Sequence, residues 1–229
     1  MPGAYQELPA PGLECLWTRV VGEEPRTTPV LPDACSDLIW ASGRGAFVAG
    51  PDTGPVAVSS EPGRVYVGAR FGPAKGGAAL GLPLSELRDL RLDLADLRPD
   101  LAERLPGDLE PREAARRVAA IARELVAASP ADAAIAEATR RLADPGVRVE
   151  ALAAELGLSD RQLRRRCRAA AGYGPKTLQR VLRFRRFLAL DGRDLARRAL
   201  DAGYGDQPHL TRECVRLSGR TPAALLARM

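Results

Sequence analysis

Two stretches in the C-terminal part of the chain are copies of one pattern. At an offset of 47, Leu163 aligns with Leu210, Arg165 with Arg212, Cys167 with Cys214, Gly172 with Gly219 and Pro175 with Pro222. Upstream the offset falls to 46, where Gly157 aligns with Gly203, so the second copy carries one more residue in its turn. Self-similarity of this kind marks a supersecondary unit used twice. Each copy reads helix, glycine turn, helix, proline stop, and no strand is expected from residue 112 onward.

In the first copy the spacing predicts a helix over Val149–Leu156, a turn at Gly157-Leu158-Ser159 and a second helix over 160–171. Ser159 followed by Gln162 is a capping box, in which hydroxyl and amide satisfy free backbone donors reciprocally. Leu163, Cys167 and Ala170 then share one face, whereas Arg161, Arg164, Arg165 and Arg168 fall at i, i+3, i+4 and i+7 on the other. Like charges at these spacings repel by a few tenths of a kcal/mol per pair, which a polyanion relieves. The bland alternative is a solvated face. A helix-turn-helix, however, presents the first half of its second helix to the DNA major groove, where arginine donates two parallel hydrogen bonds to guanine. Arg161, Gln162, Arg164 and Arg165 occupy that half, and Ser159 with the free N–H groups beside it faces backbone phosphate.

The second copy predicts helices over 194–202 and 207–217, with Gly203-Tyr204-Gly205 as the turn and Asp206 as the cap. Pro208 sits in the first turn, where its missing N–H costs little. Leu210, Cys214 and Leu217 form the apolar stripe and leave Gln207, His209, Thr211, Arg212 and Arg216 outward or on the flank. His209 is the sole histidine, so it either contacts DNA or is structural, and a metal role has no second imidazole to support it. Between the copies, Lys176–Leu190 reads as one continuous helix of roughly 22 Å at 1.5 Å per residue. Successive major grooves on one side of B-DNA lie about 34 Å apart, so such a connector lets one chain address two of them, with bending of the duplex if the readers stand closer.

The front of the chain has a different grammar. Short apolar runs at Leu13–Val21, Ser36–Ala41, Ala46–Ala49, Val56–Val58 and Arg64–Phe71 are broken by Gly and Pro, which predicts an antiparallel β sandwich or barrel. Pro83 is expected to open a short helix through Leu90. A further helix over 113–127 places Ala115, Val118, Ala119, Ala122, Leu125 and Val126 on one stripe, and a helix over 131–142 follows. The fold class is therefore α+β: a β-rich module over 1–110, a linker helix at 111–130 and an all-α domain over 131–229.

Charge follows the same division. Residues 1–130 carry 14 Lys plus Arg against 18 Asp plus Glu, a net −4, while residues 131–229 carry 20 against 11, a net +9. Such a split suggests a module whose partner is a polyanion, with genome composition as the alternative, since arginine supplies 32 of the 34 basic residues. No apolar run approaches the 18 residues of a membrane span, and the first residues lack the basic start and apolar segment of a signal peptide, so a cytoplasmic protein is expected. Cys15, Cys35, Cys167 and Cys214 are too scattered for a zinc site or a disulfide scaffold and read as reduced thiols.

These residues resemble the AraC-type transcription regulators over about 131–229. The most specific stretch runs from Ala202-Gly203-Tyr204-Gly205-Asp206-Gln207-Pro208-His209-Leu210-Thr211-Arg212-Glu213-Cys214 to Ser218-Gly219-Arg220-Thr221-Pro222. The resemblance implies two helix-turn-helix units joined by a central helix, bound to double-stranded DNA. It implies DNA contacts from Arg161, Arg164 and Arg165 in the first unit and from Gln207, Pro208, His209 and Arg212 in the second, although a proline cannot donate a hydrogen bond. Together with the pattern above, the DNA-facing set is Ser159, Arg161, Gln162, Arg164, Arg165, Arg168, Lys176, Gln207, His209, Thr211 and Arg212. The front half resembles the cupin-like N-terminal module of a set of bacterial AraC-type proteins, through Cys15-Leu16-Trp17, Leu31-Pro32-Asp33, Asp37-Leu38-Ile39, Val67-Gly68-Ala69-Arg70-Phe71-Gly72-Pro73 and Leu80-Gly81-Leu82-Pro83. Such a module senses a small-molecule effector or dimerises. Trp17, Asp37, Trp40 and Arg70 are its pocket candidates, against the plainer reading of a buried Trp and a structural Asp–Arg pair. A second copy of the chain and RNA polymerase are the further partners such an architecture would take. No cofactor, metal or catalytic group is expected.

Two rival readings stay open at this stage. One is a sensor in which Cys15 or Cys35 accepts an alkyl group or is oxidised, and the other is an interaction protein that binds DNA without reading its sequence.

Overall fold

The computed structural model describes residues 4–24, 26–130, 132–192 and 194–227. The front module is built from β1 (Tyr5–Leu8), β2 (Cys15–Val20), β3 (Arg26–Val30), β4 (Ser36–Ala41), β5 (Gly45–Ala49), β6 (Val56–Ser60), β7 (Val65–Phe71) and β8 (Arg91–Asp93). All pairings are antiparallel. Six strands form one sheet in the order β1-β2-β7-β4-β5-β8, and β3 pairs with β6 in a separate ribbon. The antiparallel β module expected from the sequence is thus present, with two sheets of unequal size.

Alternation along the strands divides the residues between two faces. Leu38, Trp40, Val48, Val67, Ala69 and Phe71 enter one core with Leu84, Leu87, Leu94, Leu101 and Leu105, whereas Cys15, Trp17, Ile39, Ala41, Phe47 and Ala49 gather in a smaller cluster. Short helices α1 (Gly76–Leu80), α2 (Leu94–Leu97) and α3 (Pro99–Ala102) help cover the first face. Where the sequence predicts a helix from Pro83 through Leu90, the chain makes only a 3-10 turn at Leu84–Glu86 and then enters β8.

Helix α4 (Pro111–Ala128) starts with proline at N1, which has no N–H to waste. Its buried residues Ala114, Val118, Ile121 and Ala122 belong to the core of the large sheet, so α4 packs on the front module.

The remaining helices are α5 (Ala133–Leu142), α6 (Val149–Glu155), α7 (Asp160–Ala171), α8 (Pro175–Ala189), α9 (Leu195–Asp201), α10 (Gln207–Ser218) and α11 (Pro222–Leu226). No strand occurs among the described residues after β8. Four residues, 156–159, separate α6 from α7, and five, 202–206, separate α9 from α10, which is the extra residue implied by the change of offset. Both second helices end on a left-handed glycine, Gly172 at φ 79° and Gly219 at φ 69°, a conformation that a Cβ disfavours.

One core unites the helical region. Leu163 and Cys167 from α7, Leu210 and Cys214 from α10, and Leu178, Val181, Leu182, Phe184 and Phe187 from α8 are all buried in it. Ala34 and Ala74 of the front module lie in the same cluster, so the two regions are packed together. At Gly77 on α1, a Cβ would stand 2.3 Å from the carbonyl oxygen of Ala169, a distance no side chain tolerates. The buried Tyr173 hydroxyl donates to the carbonyl of Asp52, and Arg185 on α8 donates to the carbonyl of Asp33 at 3.2 Å. Arg185 also pairs with Glu14. The front module therefore holds the C-terminal end of α7 and the middle of α8.

Candidate nucleic-acid interface

Helix α7 begins where the capping box places it. Ser159 Oγ accepts from the Gln162 amide N–H at 3.3 Å, and Gln162 Oε1 accepts from the Ser159 N–H at 2.8 Å. The Gln162 carbonyl oxygen is thus engaged locally and its amide NH2 is the part that faces outward. Leu163, Cys167 and Ala171 are buried, while Arg161, Gln162, Arg164, Arg165 and Arg168 are all exposed.

Arg166 differs from its neighbours. Its Nε and Nη2 each lie 2.6 Å from the Asp132 carboxylate, which also caps α5 by accepting from the N–H groups of Ala134 and Ile135. That double use, two charged donors and two backbone donors, holds the Asp132 carboxyl below its ordinary value. Elsewhere in the helical region Arg140 pairs with Glu137, Arg141 with Glu155, Lys176 with Glu150 and Arg197 with Asp201. Arg161, Arg164, Arg165 and Arg168 have no acidic partner among the described residues. Four unpaired guanidiniums on about two turns of one helix are a surface prepared for an anion.

The four do not form a single row. At 100° per residue, Arg161 and Arg165 point most directly away from the buried stripe, whereas Arg164 and Arg168 turn to one side. There they line a cleft of about 530 Å3 with Lys176 and Thr177 at the start of α8 and with Thr53 and Arg88 from the front module. The close contacts of the front module fall at the C-terminal end of α7, at Ala169 and Gly172, and Arg161, Gln162 and Arg165 stay exposed.

The second unit repeats this plan with fewer charges. Asp206 Oδ1 accepts from the His209 N–H at 2.6 Å and starts α10. The His209 ring stands edge-on to Tyr204 at 5.2 Å, and its Nδ1 accepts from the Gly205 N–H at 3.4 Å. Nδ1 being an acceptor leaves the proton on Nε2. The Thr211 hydroxyl donates back to the carbonyl of Gln207 at 3.0 Å and is only half-exposed. Gln207 and Arg212 are exposed without a side-chain partner among the described residues.

Helix α8 braces both units. Arg180 lies 2.8 Å from Glu213 of α10, Arg186 donates to the carbonyl of Asp201 at 2.8 Å, and Gln179 donates to the carbonyl of Val147 at 2.7 Å. The sequence shows a charged flank on α8 but not these partners, since Glu213 and Asp201 belong to elements more than a dozen residues away.

In the front module Trp17, Asp37 and Arg70 come together. Trp17 Nε1 donates to Asp37 Oδ1 at 2.7 Å, and Arg70 Nε lies 3.1 Å from the same oxygen. Arg70 is shared, with Asp33 at 3.6 Å and Glu7 at 3.7 Å. Trp40 does not join them. It is fully buried on the opposite face, and its indole N–H donates to the carbonyl of Pro106 at 2.8 Å, so it is a core residue.

Burial pushes the Asp37 carboxyl up to about 6, more than one guanidinium divided among three carboxylates offsets. The carboxylates in turn hold Arg70 firmly protonated. A folded-state value above the ordinary 3.8 means that the native state binds the extra proton, so this group favours folding below about 4 and loses that contribution as pH rises through 6. Replacing Asp37 with Asn abolishes the effect. In urea melts the stability of the wild type relative to D37N is expected to fall, on the order of 1–3 kcal/mol, between pH 4 and pH 7. A difference that rises with pH contradicts the reading.

All four cysteines are buried and free. Burial pushes the Cys15 thiol up to about 11 and those of Cys167 and Cys214 up to about 12, and Cys35 is raised well above its ordinary value. A reactive cysteine needs the opposite, an accessible and depressed thiol.

Two helix-turn-helix units on a common rod, with bare cations on the second helix of the first, define a DNA-binding domain of the double helix-turn-helix class. Residues 152–228 match the family described as helix-turn-helix domain, and residues 8–93 match the family described as domain of unknown function DUF6597. The C-terminal region is an AraC-type helix-turn-helix domain. No curated protein matches the chain. Among solved structures, ToxT from Vibrio cholerae aligns at a TM-score of 0.48 with 9% identity, covering 98% of both chains. The apo form of a ToxT variant from Vibrio cholerae strain SCE256 aligns at 0.47 with 11% identity, covering 98% of this chain and 96% of that one. No helix among the described residues is long and apolar enough to cross a membrane.

Proposed function

We propose that one chain reads two successive major grooves, with the first half of α7 in one and the first half of α10 in the next. Arg161 and Arg165 face base edges in the first groove, and Gln207 and Arg212 in the second. Ser159, Lys176 and the free N–H groups at the starts of α7 and α8 hold the phosphates that fix register. His209 and Thr211 shape the start of α10, His209 presenting Nε2–H and Thr211 its methyl group.

The observation that carries this reading is the contrast within α7. Arg166 is consumed by Asp132, whereas Arg161 and Arg165, opposite the buried stripe, are bare. At 15 residues α8 is roughly 22 Å long, short of the ~34 Å groove repeat, so the duplex bends toward the protein at a cost of a few kcal/mol. The front module regulates this reader, as an effector sensor or a dimerisation surface, through its grip on α7 and α8. Selection from a random duplex pool tests the proposal. Enriched sites carry two short motifs one helical turn apart and migrate anomalously when circularly permuted; a single motif with no anomaly contradicts it.

A further inference from the structure

We propose that the front module is itself part of the DNA interface, with Arg88 placed to hold a phosphate on the groove wall beside α7. This inference rests on the reading of α7 as a groove-binding helix.

If Arg161 and Arg165 point to the floor of the groove, the side of α7 that carries Arg164 and Arg168 faces one wall, where the phosphates run. The start of α8 faces the same wall, with Gly174 as its cap and Pro175 at its first position. Arg88 lines the cleft from the other side, so the wall is approached by cations from two structural units. Among the cations at the cleft, Arg164 and Arg168 are the ones with no acidic partner among the described residues. Glu150 is paired with Lys176 at 2.7 Å, and Asp160 lies in the first turn of α7, where the helix dipole already occupies it. Asp89 stands 3.8 Å from Arg88 but receives the Thr53 N–H at 2.6 Å and hydroxyl at 3.0 Å.

The placement is also rigid, as a phosphate contact requires. Asp89 adopts φ 62°, and its N–H donates to the carbonyl of Pro51, while the neighbouring Asp52 is held by both terminal nitrogens of Arg91 at 2.6 Å. The same loop receives the Tyr173 hydroxyl from the segment that joins α7 to α8. Asp89, next to Arg88, is thus tied through Pro51 and Thr53 to the loop that Tyr173 joins to the segment between α7 and α8. The occupant is taken to be the phosphodiester backbone of DNA, because the cleft opens beside the unpaired guanidiniums of the reader helix. A volume of about 530 Å3 would also admit a free phosphorylated molecule.

The test uses the full chain and a duplex selected by the wild type. Affinity is measured by fluorescence anisotropy across a salt series for wild type, R88A, R88K and R165A. Thermal melts confirm folding, which the exposed position of Arg88 leaves intact. R88A is expected to bind all duplexes about 3- to 10-fold more weakly and to lower the salt slope by about 0.9, the value for one phosphate, with R88K recovering the slope. An R88A protein with unchanged affinity and slope overturns the inference while R165A still loses discrimination, which leaves the groove reading intact. If R165A also keeps its discrimination, both fail. Weaker binding at an unchanged slope assigns Arg88 to domain packing and overturns the inference. Binding of inorganic pyrophosphate that R88A abolishes, with the DNA salt slope unmoved, assigns the cleft to a free anion and overturns it as well.

Discussion

Phe184→Ala is expected to cost about 3–5 kcal/mol of stability, the range for truncating a buried phenylalanine. Phe184 is fully buried on α8, in the one core that contains Leu163 of the first reader helix and Leu210 of the second. Removing the ring leaves a cavity that close-packed neighbours fill only in part. At roughly 2–4 °C per kcal/mol for a chain of this size, the melting temperature falls by about 6–20 °C. Both tryptophans, Trp17 and Trp40, lie in the front module, so indole fluorescence follows that module while helical circular dichroism follows the reader. The helical signal is expected to move at least as far as the fluorescence. A loss below about 1 kcal/mol contradicts the assignment of α8 as the rod on which both units depend.

Arg165→Ala is expected to do the reverse, leaving the fold intact and removing sequence preference. Arg165 is exposed and unpaired among the described residues, so its loss breaks no contact within the chain. A guanidinium bonded to guanine is worth ~1–3 kcal/mol of discrimination, roughly 5- to 150-fold between the right and wrong base pair. Competition between a selected duplex and its single-base variants reads this directly, and the preference should relax at one position of the first half-site. Arg166→Ala is the matched control. It removes the partner of Asp132 and should lower stability while keeping the base preference. Equal loss of affinity on every duplex for R165A shows a cation that only attracts phosphate.

The reader was legible because its boundaries are set locally. The Ser159–Gln162 capping box and the left-handed Gly172 fix α7 at 160–171, and the repeat carries the same limits to α10, which runs one residue past the expected 217. Within the front module, β4 and β7 follow from strong alternation. β1, exposed throughout, and β8, three residues long, have no apolar signature and owe their pairing to β2 and β5. The helix expected after Pro83 is lost to tertiary demands, since Leu84 and Leu87 are drawn separately into the sheet core.

The division of the arginine stripe was beyond the sequence for a similar reason. Periodicity places Arg161, Arg164, Arg165 and Arg168 on one side of α7, but what faces each of them depends on where the front module docks. That docking is written in Gly77 and Tyr173, whose partners Ala169 and Asp52 lie about 90 and 120 residues away in the chain. Arg88 carries no local signal at all. Of the four pocket candidates, Trp40 parts from Trp17, Asp37 and Arg70 because the strand pleat puts it on the other face.

The central claim, that one chain grips two neighbouring grooves through α7 and α10, is most directly tested by guanine methylation interference on a selected duplex. Two patches of interference, one helical turn apart on the same side of the DNA, are predicted, with R165A erasing contacts in one patch and R212A in the other. A single patch that responds to both substitutions, or two patches on opposite sides of the duplex, would contradict it.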